Sequence, residues 1–253
     1  SGMVNGSFVK GRLDGNWTSY FSDGQLREVG MYIDGNRDGV WKTFYQNGQL
    51  MTLYSYKNGT DHGVFEEYNK SGKLIYKNTF KDGFGHGEYE SYWPNGKLHK
   101  RGSNKNGKRE GSWETYLENG QLLKKGNYKD NKQVGSWEYY YENGQLELKI
   151  DFKDGKEDGL EKRYHENGQL RSNGNFKDGK TDGRWEFYYE NGQLELKVDF
   201  KDGKEDGLGE EYYENGQLKS NGNFKDGKLD GLWLEYHENG QLKFRGNFKD
   251  GER

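Results

Sequence analysis

Apolar positions in this chain come in short runs set between glycines, and the runs recur with a fixed spacing. Turn glycines stand at Gly24, Gly48, Gly72, Gly96, Gly120, Gly144, Gly168, Gly192, Gly216 and Gly240, a period of 24 without a slip. Two residues after each comes a leucine: Leu26, Leu50, Leu74, Leu98, Leu122, Leu146, Leu170, Leu194, Leu218 and Leu242. Four residues before each comes an aromatic: Tyr20, Phe44, Tyr68, Tyr92, Tyr116, Tyr140, Tyr164, Tyr188, Tyr212 and Tyr236. A fixed period of this size is the signature of a repeat array. A double period lies over it, since residues 145–192 and 193–240 agree at 37 of 48 positions, which points to duplication of a two-repeat unit.

Two Gly-rich turns in each 24 residues leave room for two strands of about six or seven residues, the usual length. A helix would be broken in every turn by the same glycines. Asn-Gly between aromatic and aliphatic residues is a strong hairpin signal and predicts a type I′ turn, as at Asn143-Gly144 and Asn191-Gly192. With that turn at the tip, Tyr141 is expected opposite Leu146, Trp137 opposite Ile150, Trp113 opposite Gly126 and Trp233 opposite Gly246. Cross-strand neighbours share a face. One face therefore collects a core of Trp17, Trp41, Trp113, Trp137, Trp185 and Trp233 with Leu122, Leu146, Leu194 and Leu242, closed by Phe152-type residues. The other face carries Glu, Lys, Asn and Asp plus the Tyr140 column. Where the Gly126-type position is bulky, as at Ile150 and Val198, the next hairpin has Glu161 or Gly209 in place of Trp, so each pocket takes one large side chain; Tyr54 before Phe65 breaks the rule. The expected fold is all-β: an elongated single-sheet solenoid of about ten β-hairpins of 24 residues and about twenty strands.

Composition refines this picture. Only 29 % of the residues are hydrophobic and 32 % are charged, totals that would fit disorder. Twenty Tyr, 13 Phe and 7 Trp argue instead for a thin, ordered core. The net charge of −3, with both signs interleaved, gives no footprint for nucleic acid. No apolar run has the length of a membrane span. Cysteine is absent, which excludes disulfides and thiolate metal sites. Ser1-Gly2 ahead of Met3 reads as a tag remnant, with residues 1–5 a lead-in and 6–253 the array. Both ends fall within a repeat, so the natural polypeptide is expected to extend further, at least on the N-terminal side. The N-terminal edge is expected to be the less protected, either frayed or paired with another molecule, and self-association through a sheet edge is an open route. At the C-terminal edge Lys243 and Arg245 discourage pairing.

Candidate chemistry is sparse. His62 and His86 fill equivalent slots in adjacent repeats and are expected to be solvent-exposed, about 10 Å apart and too distant to share a metal. His165 and His237 replace a strand aromatic and are expected to pack. The Asp-Gly-Lys-Glu-Asp-Gly segments at 154–159 and 202–207 lack the ligand spacing of a calcium loop. No nucleophile elbow or phosphate-binding glycine loop is present. The expectation is no catalytic residue, no metal and no cofactor.

Residues 177–194, Lys-Asp-Gly-Lys-Thr-Asp-Gly-Arg-Trp-Glu-Phe-Tyr-Tyr-Glu-Asn-Gly-Gln-Leu, resemble MORN repeats, specifically the bacterial variant associated with toxin–antitoxin antitoxins. The resemblance covers residues 6–251, with local departures at Asn131, Glu161 and Gly209. It implies hairpin repeats in an elongated sheet and an interaction or scaffolding role, possible antitoxin-like function included, far more than catalysis. The expected function is thus a non-catalytic scaffold for a protein partner. The alternative is a carbohydrate- or cell-wall-binding module that stacks sugars on exposed members of the Tyr20, Phe44, Tyr68, Tyr92, Tyr116, Tyr140, Tyr164, Tyr188, Tyr212 and Tyr236 column.

Overall fold

The computed structural model describes residues 2–253; Ser1, half of the expected tag remnant, lies outside them. Two compact units divide the chain, residues 1–122 with 128–131 and residues 123–127 with 132–253. Among the described residues there are 21 strands and no helix, and the ladders are antiparallel throughout. The first unit opens with β1 (Val4–Val9), β2 (Arg12–Tyr20), β3 (Leu26–Ile33), β4 (Asn36–Phe44) and β5 (Leu50–Lys57). The second includes β12 (Lys132–Tyr140), β13 (Leu146–Lys153), β14 (Lys156–Tyr164), β15 (Leu170–Lys177) and β16 (Lys180–Tyr188), and ends with β21 (Leu242–Phe248). Strands of eight and nine residues alternate, longer than the sequence suggested, because the turns between them are so short.

The type I′ turn expected at Asn-Gly is found instead at the other turn of each repeat. At the Asp-Gly segments both central residues sit at positive φ, 53° and 86° at Asp154 and Gly155, which makes these the two-residue type I′ turns. Asp tolerates this region because its short polar side chain bonds locally, and even Asn131, standing where glycine is usual, adopts φ 69°. The Asn-Gly tips are three-residue loops instead. Gly144 N–H donates to the Tyr141 carbonyl at 2.9 Å, and Tyr141 N–H donates to the Gln145 carbonyl at 2.9 Å. Gly144 alone takes the left-handed conformation, at φ 86°, while Asn143 stays out of it. Asn143 earns its place by side-chain bonding: Oδ1 accepts from Gln145 N–H at 2.9 Å, and Nδ2 donates to the Glu166 carbonyl at 3.2 Å. This geometry is a type I turn closed by a glycine bulge.

The bulge moves every leucine. Trp137 faces Ile150 and Trp233 faces Gly246, as expected, and Tyr139 faces Leu148. Beyond Tyr139 the register slips by one, so Tyr140, not Tyr141, faces Leu146. Residues alternate faces along a strand, so Leu146 and its equivalents sit with the Tyr140 column and not with the tryptophans.

Candidate interaction surface

On the tryptophan face, four indoles lie across a glycine of the preceding strand. A Cβ at Gly30, Gly102, Gly126 or Gly174 would overlap the ring of Trp41, Trp113, Trp137 or Trp185. None of these four glycines has positive φ, so close approach is what requires them. The indole Nε1 of Trp41, Trp113, Trp137 and Trp185 donates at 3.1 Å to the carbonyl just after that glycine: Met31, Ser103, Asn127 and Asn175. Each bond satisfies the one polar atom of a buried ring. A neighbouring aromatic closes the pocket edge-on, as Phe176 does against Trp185 with centroids 5.1 Å apart. When Ile150 or Val198 replaces glycine there is no floor for an indole, and the register opposes them with Glu161 and Gly209. In the exceptional pair, Tyr54 and Phe65 tilt against each other with centroids 4.6 Å apart.

Glu161 is the odd member of the tryptophan column. Its side chain is 2 % exposed, and its carboxylate accepts from Arg163 Nε at 2.7 Å. Burial, then the charge of Glu161, pushes the neighbouring Glu157 carboxyl up. Beside the pair, a hollow of about 380 Å³ is walled by Phe176, Trp185, Phe187 and Phe200 with Arg171, Ser172 and Thr181.

On the tyrosine face, hydroxyls in five of the repeats are tied down by carboxylates two residues earlier. Tyr68, Tyr92 and Tyr140 donate to Glu66, Glu90 and Glu138 at 2.6 Å, and Tyr188 donates to Glu186 at 2.9 Å. The hydrogen bond to Glu66 pushes the Tyr68 phenol up to about 12, and burial together with Glu90 does the same for Tyr92. These glutamates alternate with basic residues on adjacent strands: Glu66 faces Lys77, Lys77 faces Glu90, and Glu90 faces Arg101. In the second unit Glu138 is clasped by Lys125 at 2.9 Å and Lys149 at 3.2 Å. The Tyr140 hydroxyl, with the Lys125 ammonium behind it, holds the Glu138 carboxyl down at about 2.

The Tyr20, Phe44, Tyr68, Tyr92, Tyr116, Tyr140, Tyr164, Tyr188, Tyr212 and Tyr236 column is half-buried along its whole length. Of the residues expected in the core, Trp41, Trp113, Trp137 and Trp185 are buried, and Trp17 and Trp233 are half-buried. Leu122, Leu146 and Leu194 are only half-buried, and Leu242, on edge strand β21, is 54 % exposed. His62 and His86 are half-buried where exposure was expected, and His62 Nδ1 lies 3.4 Å from Asp82. His165 does more than pack, since its Nε2 bonds the Tyr188 carbonyl at 2.8 Å, while His237 is exposed. Sequence reasoning missed the Tyr–Glu pairs, although the i, i+2 spacing of Glu138 and Tyr140 on one face of a strand could have shown them.

A tandem of hairpins with one face of glycine-seated indoles and one of tyrosine–carboxylate pairs defines an open-faced β-repeat protein. The chain belongs to the MORN repeat variant family, whose model matches ten times, at residues 13–34, 37–58, 61–82, 85–106, 109–130, 133–154, 157–178, 181–202, 205–226 and 229–250. That family is generally non-catalytic. No curated protein matches the chain in sequence. Among solved structures, TcdB2-TccC3-Cdc42 is similar at 14 % identity and TM-score 0.20, and TcdB2-TccC3 without hypervariable C-terminal region at 13 % and 0.21. Each match covers 98 % of this chain but only 18 % of that one, and spatial agreement this low carries no argument.

Proposed function

We propose that the chain is a non-catalytic scaffold that holds a protein partner against its tryptophan face. The observation that carries this reading is the thinness of the core. Among the described residues, Trp41, Trp113, Trp137, Ile150, Trp185 and Val198 are the buried hydrophobic side chains, and the aromatics around them are half-exposed. A sheet ordinarily buries one face against a second layer, and here each unit lacks that layer. A protein surface with apolar side chains would supply it, spreading many equivalent weak contacts over successive repeats. Regular repetition favours a distributed contact surface over a single cleft in which a pKa could be shifted for catalysis.

The tyrosine column gives no support to sugar stacking, because its rings are half-buried and the hydroxyls described above are engaged. The antitoxin-like role implied by the resemblance gains nothing from this geometry. Capture from an extract of the native host, compared with a glycan array, tests the proposal. The expected result is a stoichiometric protein partner whose binding protects tryptophan-face aromatics in several repeats from hydroxyl-radical oxidation. Glycan binding without a protein partner, or protection confined to one repeat, would overturn it.

A further inference from the structure

The β3–β4 hairpin departs from the repeat in one direction only. Met31 stands where every equivalent position carries Ser, Thr, Asn or Asp, and Ile33 stands where the nine later equivalents carry Lys, with Val9 of β1 the one other aliphatic. Val29 replaces what is elsewhere, except at Leu53, a basic residue or Asn. Val29, Met31 and Ile33 alternate along one strand and so share a face. Register places Val29 against Lys42 and Val40 against Ser55, on the same tyrosine face. Three of these side chains lie open, Met31 at 37 %, Ile33 at 44 % and Val40 at 52 %. Such a cluster on a polar repeat face is the mark of a contact surface.

Charge names the occupant. At the position of Lys42 most repeats carry the glutamate of the acid–base ladder, flanked by Lys, Arg or Asn except where Glu66 meets Leu53. Lys42 is exposed, and its register neighbours on both sides, Val29 and Leu53, are apolar. The nearby carboxylate of Asp38, opposite Met31, is committed to the backbone N–H of Asn58 at 2.9 Å. A cation set between half-buried aliphatics, with Met31, Ile33 and Val40 exposed on the same face, fits a carboxylate that arrives with its own apolar flanks. We propose that this patch docks a segment of a protein partner in which one Asp or Glu is flanked by aliphatic side chains. The inference rests on the scaffold reading but uses the opposite face, so the two can fail separately.

Methionine supplies the test. The chain has three, Met3, Met31 and Met51, so ¹³C-methyl labelling of the full-length protein gives three signals. The probes are an extended synthetic peptide with leucines around a central Glu, the same peptide with Lys for Glu, a third with Ser for the leucines, and anionic phospholipid vesicles. The expected result is that the Leu/Glu peptide alone moves the Met31 methyl, with Met3 and Met51 unmoved. Lys42→Glu should weaken that binding about tenfold or more and favour the lysine peptide. Met31→Ser with Ile33→Lys restores residues other repeats carry, so it should melt as the parent does and lose the peptide. An unmoved Met31 methyl, equal response to the lysine peptide, response to vesicles, or a shift on concentration alone (a second copy as occupant) overturns the proposal. Oxidative protection of the tryptophan face with Met31 silent would leave the scaffold reading standing and remove this one.

Discussion

The seating of each indole on a glycine makes a quantitative claim that a double-mutant cycle can check. Take Gly126 and Trp137. The ring is 1 % exposed, and a Cβ on Gly126 would fall inside it. Gly126→Val alone should cost about 1–3 kcal/mol, the range for overpacking, with the backbone itself unstrained because φ is not positive there. Trp137→Gly alone should cost about 3–5 kcal/mol for the emptied pocket. The double variant reproduces the pair that the chain already uses at Val198 and Gly209. It should therefore recover much of the summed loss, with a coupling of about 1–3 kcal/mol. Repeat arrays need not unfold in one step, so the readout is native-state hydrogen exchange of β12 and β13 amides alongside urea melts. Additive losses, with no recovery in the double variant, would show that the glycine and the indole do not share one pocket and that the alternation in sequence has another cause.

Three further outcomes follow from the same geometry. The Glu138 carboxyl is held near 2, below its ordinary value of 4.5, so the stability it contributes is present above 4.5 and lost as pH falls towards 2; Glu138→Gln should flatten that acid limb, and an unchanged limb would remove Glu138 from the ladder. Raised phenols act at the other end: Tyr68 and Tyr92 should titrate near 12 in a spectrophotometric titration, with their stabilisation lost as pH rises from 10 towards 12, and ordinary titration near 10 would count against the Tyr–Glu bonds. The turn assignment predicts that Asp154→Gly is tolerated while Asn143→Gly lowers stability by about 0.5–1.5 kcal/mol through lost side-chain bonds; the reverse ranking in thermal melts would restore a type I′ turn at Asn-Gly.

Much of the fold was legible because the period carries it. Glycine spacing and the pairing of Trp137 with Ile150 required only the count of residues between turns. The exchange of Trp for Glu161 after Ile150 told of a shared pocket, though not that glycine is the floor of it. What sequence could not supply was the choice between two turn types. Asn-Gly suits both a type I′ turn and a type I turn with a glycine bulge, and the two differ by one residue of register. That residue decides whether Leu146 meets Trp137 or Tyr140, so a local ambiguity became a wrong face for a whole column. The aliphatic patch at Met31 was visible as departures from consensus, but only the register showed that Val29, Met31, Val40 and Lys42 lie together.

The tips hold one another across the repeat. Tyr141 donates to the Tyr164 carbonyl at 2.7 Å, Tyr189 to that of Tyr212 at 2.8 Å and Tyr213 to that of Tyr236 at 2.9 Å, always 23 residues onward, while Asn143 and Asn191 reach the carbonyls of Glu166 and Glu214. Because every such bond spans the same interval, and the alternation of glycine-seated and aliphatic pockets repeats over two units, copying the 48-residue unit leaves a seam with the same partners at the same offsets. A gene of this kind can lengthen or shorten by unequal exchange between its own copies without inventing a new joint, and the 145–240 region is the trace such an event leaves. Length is therefore a heritable variable that this architecture exposes to selection almost independently of whether the product folds.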